Sequence, residues 1–571
     1  MSIEKSSNNK EIESDMEQEL KKEILKTVFP ETLPSPEELE LKYPPSELPE
    51  GAMVTRIAPS PTGFMHIGSL YIALISERFA HQTNGVFYLR IEDTDKKREV
   101  EGATDLITQS LNHFGVRIDE GRDISGKEHG AYAPYTQSAR SDIYQSYVKA
   151  LLEKGVAYVC FCTAEELEEM RLGQQAQGVH SGYYRPWAKW RDKTSKEVIA
   201  ELKAKKPFVI RFKSQGDYNH RITINDAILG KRELPENNQD IVIMKSDGLP
   251  TYHMAHIVDD HLMRTTHVIR GDEWLSSLPL HLQLFDAFGW QAPQYAHIAP
   301  IQKLEGSSKR KLSKRKDPEA NVVYFDEQGY PKEAVIEYLI NLANSNFEDW
   351  RKNNHGKDYR EFVMTFERLK NSSGALFDFN KLNDISKEVV ARFTSHDVYK
   401  QVLVWANTHD TNLAKLFKLH PDYAENILSI ERGGGVKARK DIKKWSDVAR
   451  ETEYFFDENF RITKQESLNM LSDFQQSDVY TIIHAFVNTY NHNDSKDKWF
   501  NKIKKIARDN NYAESTKEFK KNPNAYRGNV ADVAKIFRVF LTGRTETPDL
   551  YSIMQTMGQK RMLRRLLAID S

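Results

Sequence analysis

The chain has 571 residues, 39% hydrophobic and 29% charged, with a net charge of −1. At roughly 100–200 residues per domain, that length exceeds one core and predicts about three to five domains. No run approaches the ~20 apolar residues that would span a bilayer, and two cysteines, Cys160 and Cys162, exclude a disulfide framework.

The first twenty residues have no apolar core or small-residue cleavage site, so no secretory signal is expected and the chain is placed in a reducing cytoplasm. Residues 1–51 read as an acidic extension. Positions 1–50 hold 6 Lys and 13 Asp or Glu, with proline punctuation at PSPEELELKYPPSELPE. Such a segment is expected to be flexible or loosely packed, and dispensable for activity. A strand at Val54–Ile57 and a Pro/Gly-punctuated turn at Ala58–Gly63 follow. From Ile67 to His81 the residues Ile67, Leu70, Tyr71, Leu74, Ile75 and Phe79 fall at helical spacing, and a second strand spans Val86–Ile91. Strand, helix and strand make the βαβ unit of a nucleotide-binding sheet.

Farther on, IVIMK (241–245) and HVIRG (267–271) are β-branched strands, and LPLHLQLFDAFGW (278–290) is an amphipathic helix. From about residue 330 strand signals thin. Patterns such as KEAVIEYLINLA and SDVYTIIHAFVNTY then run to the end. The fold class is an α/β half followed by an all-α half. Residues 496–527 hold 10 Lys or Arg against 4 Asp or Glu, a composition compatible with a phosphate-facing surface. A solvated helical face is the plainer reading.

Two segments carry chemistry. In TRIAPSPTGFMHIGS (55–69) a strand leads through a proline-stiffened loop into a helix whose N-terminal N–H groups can receive phosphate. His66 could donate to phosphate oxygens, and Gly68 removes a side chain where an adenine base could lie. Alone, a His-x-Gly is a chance pattern, and a capping histidine explains it as well. The second segment, GSSKRKLSKRKDPEA (306–320), sets Lys311, Lys314, Arg315 and Lys316 around Ser313. A lysine loop of this kind can neutralise charge on a leaving pyrophosphate. Without context a solvated basic run or a nuclear-localisation patch is the plainer reading.

The pair, His66-Ile67-Gly68-Ser69 and Lys311-Leu312-Ser313-Lys314-Arg315, resembles the HIGH and KMSKS signatures of class I aminoacyl-tRNA synthetases. RIAPSPTG with FYLRIEDTDKKR (87–98) resembles the glutamyl rather than the glutaminyl branch. The longest match is GLPTYHMAHIVDDHLMRTTHVIRGDEWLSSLPLHLQLFDAFGW (248–290). Residues 530–569 resemble the distal anticodon-binding helices of bacterial-type members.

The resemblance implies a Rossmann-like catalytic domain at 52–133 and 254–304, with an inserted acceptor-end-binding domain at 134–253. A stem-contact region at 305–395 and a helical anticodon-binding region at 396–571 follow. It implies that Arg56, Ala58, Ser60, Glu92, Tyr252 and Arg270 bind glutamate. Arg56 would take the γ-carboxylate and Glu92 the ammonium. His66, Gly68, Trp274, Lys311, Leu312, Ser313 and Lys314 bind ATP, with His66, Lys311 and Lys314 catalytic. His256 stands where the family often has asparagine. In the residues' own terms, Asp259 and Asp260 could instead be a metal pair and Trp274 simply core.

The implied activity is ATP-dependent ligation of glutamate to tRNA-Glu with Mg²⁺ on the phosphates, by a cytoplasmic monomer. The alternatives are an enzyme that also charges tRNA-Gln, and a non-catalytic tRNA-binding derivative. Anticodon contacts are expected near ERGGGVKARK (431–440). Some relatives hold zinc near the C-x-C. Here no third cysteine exists, and HSGYYRPWAKW (180–190) offers only His180 or Tyr183, so no zinc is expected.

Overall fold

Charge alone hides the packing of the N-terminal segment. The computed structural model describes residues 16–369, 375–433 and 438–570. Residues 16–28 are helical, and α1 (Pro36–Lys42) follows. Ser35 and Glu38 close a reciprocal capping box at its start. Ile24, Phe29, Leu39 and Tyr43 are buried, and Glu40 pairs with His261 at 2.6 Å and Arg264 at 2.9 Å. The expectation of a loosely packed extension is therefore corrected for residues 16–51. The reason is amphipathic: Leu20, Ile24, Leu25, Val28 and Phe29 turn inward while Glu19, Lys21, Lys22 and Lys26 stay exposed. Residues 1–15 lie outside the described residues.

β1 (Val54–Ile57), α2 (Ile67–Gln82) and β2 (Val86–Leu89) make the first crossover, with β1 and β2 parallel from Val54↔Val86 to Ile57↔Leu89. All four residues of β1 are buried, as a strand covered on both faces requires. β2 stops two residues short of the expected Ile91, which makes an isolated bridge to Thr136. α3 (Ala103–His113) leads to β3 (Glu120–Arg122), parallel to β2, and β4 (Glu128–His129) closes this sheet antiparallel.

Next come α4 (Ser141–Glu153), β5 (Ala157–Cys160), β6 (Val209–Phe212), β7 (Arg221–Asp226), β8 (Gly230–Pro235) and β9 (Val242–Met244). They build an antiparallel β5–β6–β9 sheet and a β7–β8 hairpin. α5 (Tyr252–Leu262), β10 (His267–Gly271), α6 (Leu278–Phe288) and β11 (Gln294–Ile298) return to parallel pairing, β10 with β11. Thr266 joins the two parallel sets: Val54 N donates to its Oγ1 at 2.8 Å, and its N donates to Val54 O at 3.0 Å. α6 ends where Gly289 adopts φ 73°, a left-handed cap that favours glycine. β12 (Ile301–Glu305) and β13 (Ser308–Lys311) form the hairpin that carries the lysine loop, and β14 (Ala375–Leu376) adds parallel to β12.

These elements belong to one compact unit, which comprises residues up to Val323 together with Leu339–Phe377. A second unit, Tyr324–Tyr338 with Asp378–Ser571, contains no strand among its described residues. The region expected as one piece at 305–395 is thus shared between the units. α7 (Ser395–His409), α8 (Gln476–Thr489), α9 (Lys496–Asp509), α10 (Val530–Thr542) and α11 (Gln559–Leu567) surround a core that includes Val402, Ile482, Phe486, Ile503, Phe537 and Leu566. α9 buries Trp499, Ile503, Ile506 and Ala507, so the lysines of the basic segment project from its other side. Within ERGGGVKARK, residues 434–437 lie outside the described residues.

Candidate active site

The chain leaves β1 through Ala58–Met65 and enters α2 at His66, whose extended backbone caps the helix while its Nδ1 accepts from Gly68 N at 2.9 Å. Val322 N donates to Met65 O at 3.2 Å, so the segment after the lysine loop is laced to this entry. The loop itself is anchored: Leu312 is buried, and Leu312 N donates to Ile301 O at 3.1 Å. Asp317 accepts from Ser313 N at 2.9 Å and from Arg310 at 2.6 and 2.9 Å. Lys314 reaches back and donates to Phe64 O at 2.9 Å.

Between these segments lies a cavity of about 310 Å³. His66, Gly68, Gly271, Glu273, Lys311 and Lys314 are among its lining residues. Burial, reinforced by Lys314 and Lys311, lowers the pKa of His66 to about 4, so it is neutral at physiological pH. Glu273 accepts from Lys311 at 2.5 Å. Burial works to raise Glu273, but the Lys311 hydrogen bond helps to outweigh it and the carboxyl sits low. An anionic ligand in this cavity would compete with Glu273 for Lys311.

A second constellation lies around the C-terminal end of β10. Arg56, Glu92, Tyr252 and Arg270 converge there, the first, second and fourth of them buried. Arg90 organises the acids, donating to Asp260 at 2.6 Å and to Glu92 at 3.0 Å. Arg56 lies 3.6 Å from Asp260. Burial opposes ionisation of Asp260, but Arg90 and Arg56 prevail and hold it low. For Glu92 burial wins over Arg90, and its carboxyl is raised. Asp259 is saturated by Arg140 at 2.7 Å, Tyr144 at 2.8 Å and Gln137 at 2.9 Å. These two aspartates are therefore engaged by side-chain donors, and the metal-pair reading has no geometric support.

Tyr252 and Trp274 are in ring contact at 4.4 Å. Trp274 thus stands on the Tyr252 side and is not among the lining residues of the cavity, where the sequence had placed it with ATP. Ser313 acts through its backbone on Asp317 and also does not line the cavity. Ala58 is half-buried and Ser60 exposed in the loop after β1, whose Pro59 O accepts from Glu92 N at 3.0 Å. Gly271 follows Arg270 and lines the cavity, so one strand end serves both constellations.

Sequence reasoning missed Glu273, Arg90 and the partners of Arg270. Arg270 Nε donates to His297 Nε2 at 2.9 Å, and its Nη1 lies 3.2 Å from His281 Nδ1. RGDEW, directly after a strand, was the available signal for Glu273. For His281 and His297 there was none, since each reads alone as a core histidine. Among the described residues no group of three or more His, Cys, Asp or Glu could hold a metal. Cys160 is buried, and both sulfurs meet Tyr183 OH at 3.5 and 3.4 Å.

Residues 52–384 match the family model of the class I tRNA synthetases (E and Q), catalytic domain, and residues 413–569 match an anticodon binding domain. A glutamate–tRNA ligase of Clostridium perfringens (strain 13 / Type A) is 48% identical over 539 residues, covering 94% of this chain and 98% of that protein. One from Acetivibrio thermocellus is 47% identical over 527 residues, covering 92% and 95%. The crystal structure of a glutamate tRNA ligase from Elizabethkingia meningosepticum in complex with its amino acid superposes with a TM-score of 0.71 at 29% identity. It covers 91% of this chain and 99% of that one.

Proposed function

The chain belongs to the class I tRNA synthetases of the glutamate and glutamine type, and from that premise we propose that it is a glutamate–tRNA ligase. The observation that carries the reading is the shared strand end. Arg270, Arg56 and Glu92 are buried together around Tyr252, and the residue after Arg270 lines the cavity that His66 and the lysines also line. Two arginines and one carboxylate match an amino acid bearing two carboxylates and an ammonium.

Glu92, held by Arg90, takes the ammonium, and Arg56 with Arg270 takes the side-chain carboxylate. ATP enters the 310 Å³ cavity as its magnesium complex, the metal travelling on the phosphates. The glutamate α-carboxylate attacks the α-phosphorus, and the bond to pyrophosphate breaks. Lys311 and Lys314 meet the negative charge that moves onto the leaving group. Neutral His66 donates a hydrogen bond without adding a third cation. A terminal ribose hydroxyl of tRNA-Glu then attacks the adenylate carbonyl, and AMP leaves. The protein's part is positioning and charge stabilisation.

The proposal includes a cytoplasmic, monomeric enzyme; gel filtration of the purified chain tests the second point. Among the described residues no helix is long and apolar enough to cross a membrane. The decisive experiment is glutamate-dependent ATP–pyrophosphate exchange with and without tRNA, followed by aminoacylation of tRNA-Glu and tRNA-Gln separately. Exchange with glutamate and charging of tRNA-Glu supports the reading; absence of both refutes it.

A further inference from the structure

Arg270 is 5% exposed, and among the described residues no carboxylate lies within ion-pairing distance of it. Its hydrogen-bond partners are all neutral acceptors. Nε donates to His297 Nε2 at 2.9 Å, Nη1 meets His281 Nδ1 at 3.2 Å, and Nη2 donates to Trp274 O at 3.2 Å. The guanidinium also lies over the Tyr295 ring at 4.7 Å. A guanidinium has five N–H donors. Three are engaged here, which leaves two, one on each terminal nitrogen.

Each imidazole that accepts from Arg270 has its other nitrogen fixed from outside. His297 Nδ1 lies 2.6 Å from Asp226 Oδ2, so its proton is on Nδ1 and its Nε2 lone pair faces the arginine. His281 Nε2 lies 3.0 Å from His253 Nδ1. Because His281 Nδ1 must accept from a permanent cation, His281 Nε2 carries the proton and donates it to His253. The two chains of bonds run outward from Arg270, one ending on a carboxylate and the other on a third histidine. Burial, with the neighbouring Arg270 charge, keeps His281 and His253 neutral.

Arg56 is different, with Asp260 at 3.6 Å and Arg90 sharing that same carboxylate. One arginine of the pocket already has an acidic neighbour. The other is held by neutral groups that take its hydrogen bonds, and the same Asp260 feels its charge only from beyond ion-pair distance.

We propose that His281 and His297 are positioning residues that present Arg270 to the substrate as an oriented cation with unspent charge and two free donors. They make it the principal reader of the side-chain carboxylate. The inference rests on the glutamate reading above and goes beyond it by assigning specificity to a neutral cradle behind the arginine. A carboxylate in place of either histidine would hold Arg270 as well but would compete with the substrate. An apolar residue would leave an N–H unpaired and let the fork turn.

The test compares His281→Gln, His281→Leu and His281→Glu in the full chain, by pyrophosphate exchange with tRNA present. A glutamine can accept from Nη1 through its amide oxygen, and glutamate KM is expected within about threefold of the unsubstituted protein. The leucine and glutamate variants are expected to raise glutamate KM by about 10- to 100-fold, with kcat and the KM for ATP within about twofold. An ordinary structural role would instead lower kcat and melting temperature in all three. That result, or a leucine variant with unchanged glutamate KM, overturns the inference while the glutamate reading stands. If the unsubstituted protein shows no glutamate-dependent exchange, both fall together.

Discussion

Among the described residues Lys314 touches no anion: its partners are the Phe64 carbonyl at 2.9 Å and the Phe64 ring at 5.0 Å. Its charge is therefore available to pyrophosphate as the bond breaks. Lys314→Ala is expected to slow adenylate formation by ~10²–10³ with glutamate and tRNA binding nearly unchanged. Pre-steady-state kinetics reads this directly, and unchanged chemistry with a raised glutamate KM would sink the role. Arg56 is already offset by Asp260. Arg56→Gln should still cut kcat/KM for glutamate sharply, spare ATP binding and narrow the gap to glutamine. A variant that keeps its full preference would leave side-chain reading to Arg270. The same pocket sets a pH limit on stability. His66 and His253 are lowered to about 4, and His256 and His281 lie well below their usual value, in each case chiefly through burial. The unfolded chain protonates them near 6.5, so each costs ~1.4 kcal/mol per pH unit as pH falls from 6.5 toward its folded value. His81 runs the other way. Hydrogen bonds to Asp119 and Glu77 raise it to about 9, so its contribution is complete below 6.5 and lost as pH rises through 9. Denaturant midpoints should fall between pH 6.5 and 4, and less steeply in His253→Gln; a flat profile would contradict the neutral histidines.

At the level of elements, the periodicities of β1 and α2 were legible because apolar spacing and Pro/Gly punctuation agreed over one contiguous stretch. The cradle of Arg270 was not, because Asp226, His281 and His297 come from β7, α6 and β11, far apart in sequence, and meet only once the chain has folded. The N-terminal segment was misread for another reason. Its charge count outweighed a short apolar stripe, and Tyr43 works through both its buried side chain and its backbone. Tyr43 O accepts from Arg264 Nε at 3.2 Å, and Tyr43 OH donates to Ala133 O at 3.2 Å. Glu40 grips His261 on α5 and the neighbouring Arg264, and α5 also carries Tyr252, His256 and Asp260. A chain beginning at Gly51 loses four buried side chains, Ile24, Phe29, Leu39 and Tyr43, worth at most ~1.5–3 kcal/mol each. It should melt at lower temperature and bind glutamate more weakly, with Glu40→Gln showing a smaller version of both. Thermal melting beside glutamate KM checks this. An unchanged pair of values would restore the view that residues 16–51 are dispensable.

Across the whole molecule, the chain enters the second unit at Tyr324, leaves it after Tyr338 and returns at Asp378. The helical unit is therefore built from two pieces of sequence, and the short piece is stitched in by name. Trp405 Nε1 donates to Asp326 O at 2.9 Å, Trp445 N to Gly329 O at 2.7 Å and Ser446 Oγ to Gln328 O at 2.8 Å. Tyr330 OH donates to Asn383 at 2.7 Å, and Arg392 pairs with Glu337 at 2.5 Å. Gly329 adopts φ 81°, and a Cβ there would meet Ser446 N at 2.9 Å, so only glycine suits that turn. A cut after Phe377 follows the last boundary between the two units in the chain, yet it strips Tyr324–Tyr338 of every partner just named. Phe325, Val335 and Tyr338, all at 0% exposure in the intact chain, would then lose the helical unit they belong to. The fragment ending at Phe377 should aggregate or bind a hydrophobic dye, with little glutamate-dependent exchange even when tRNA is supplied. Co-expression with the fragment beginning at Asp378 should restore solubility, because the missing contacts are non-covalent and reform on association. A monodisperse catalytic fragment, free of dye binding and fully active in exchange, would mean that Tyr324–Tyr338 folds without its helical partners and that the two units are independent.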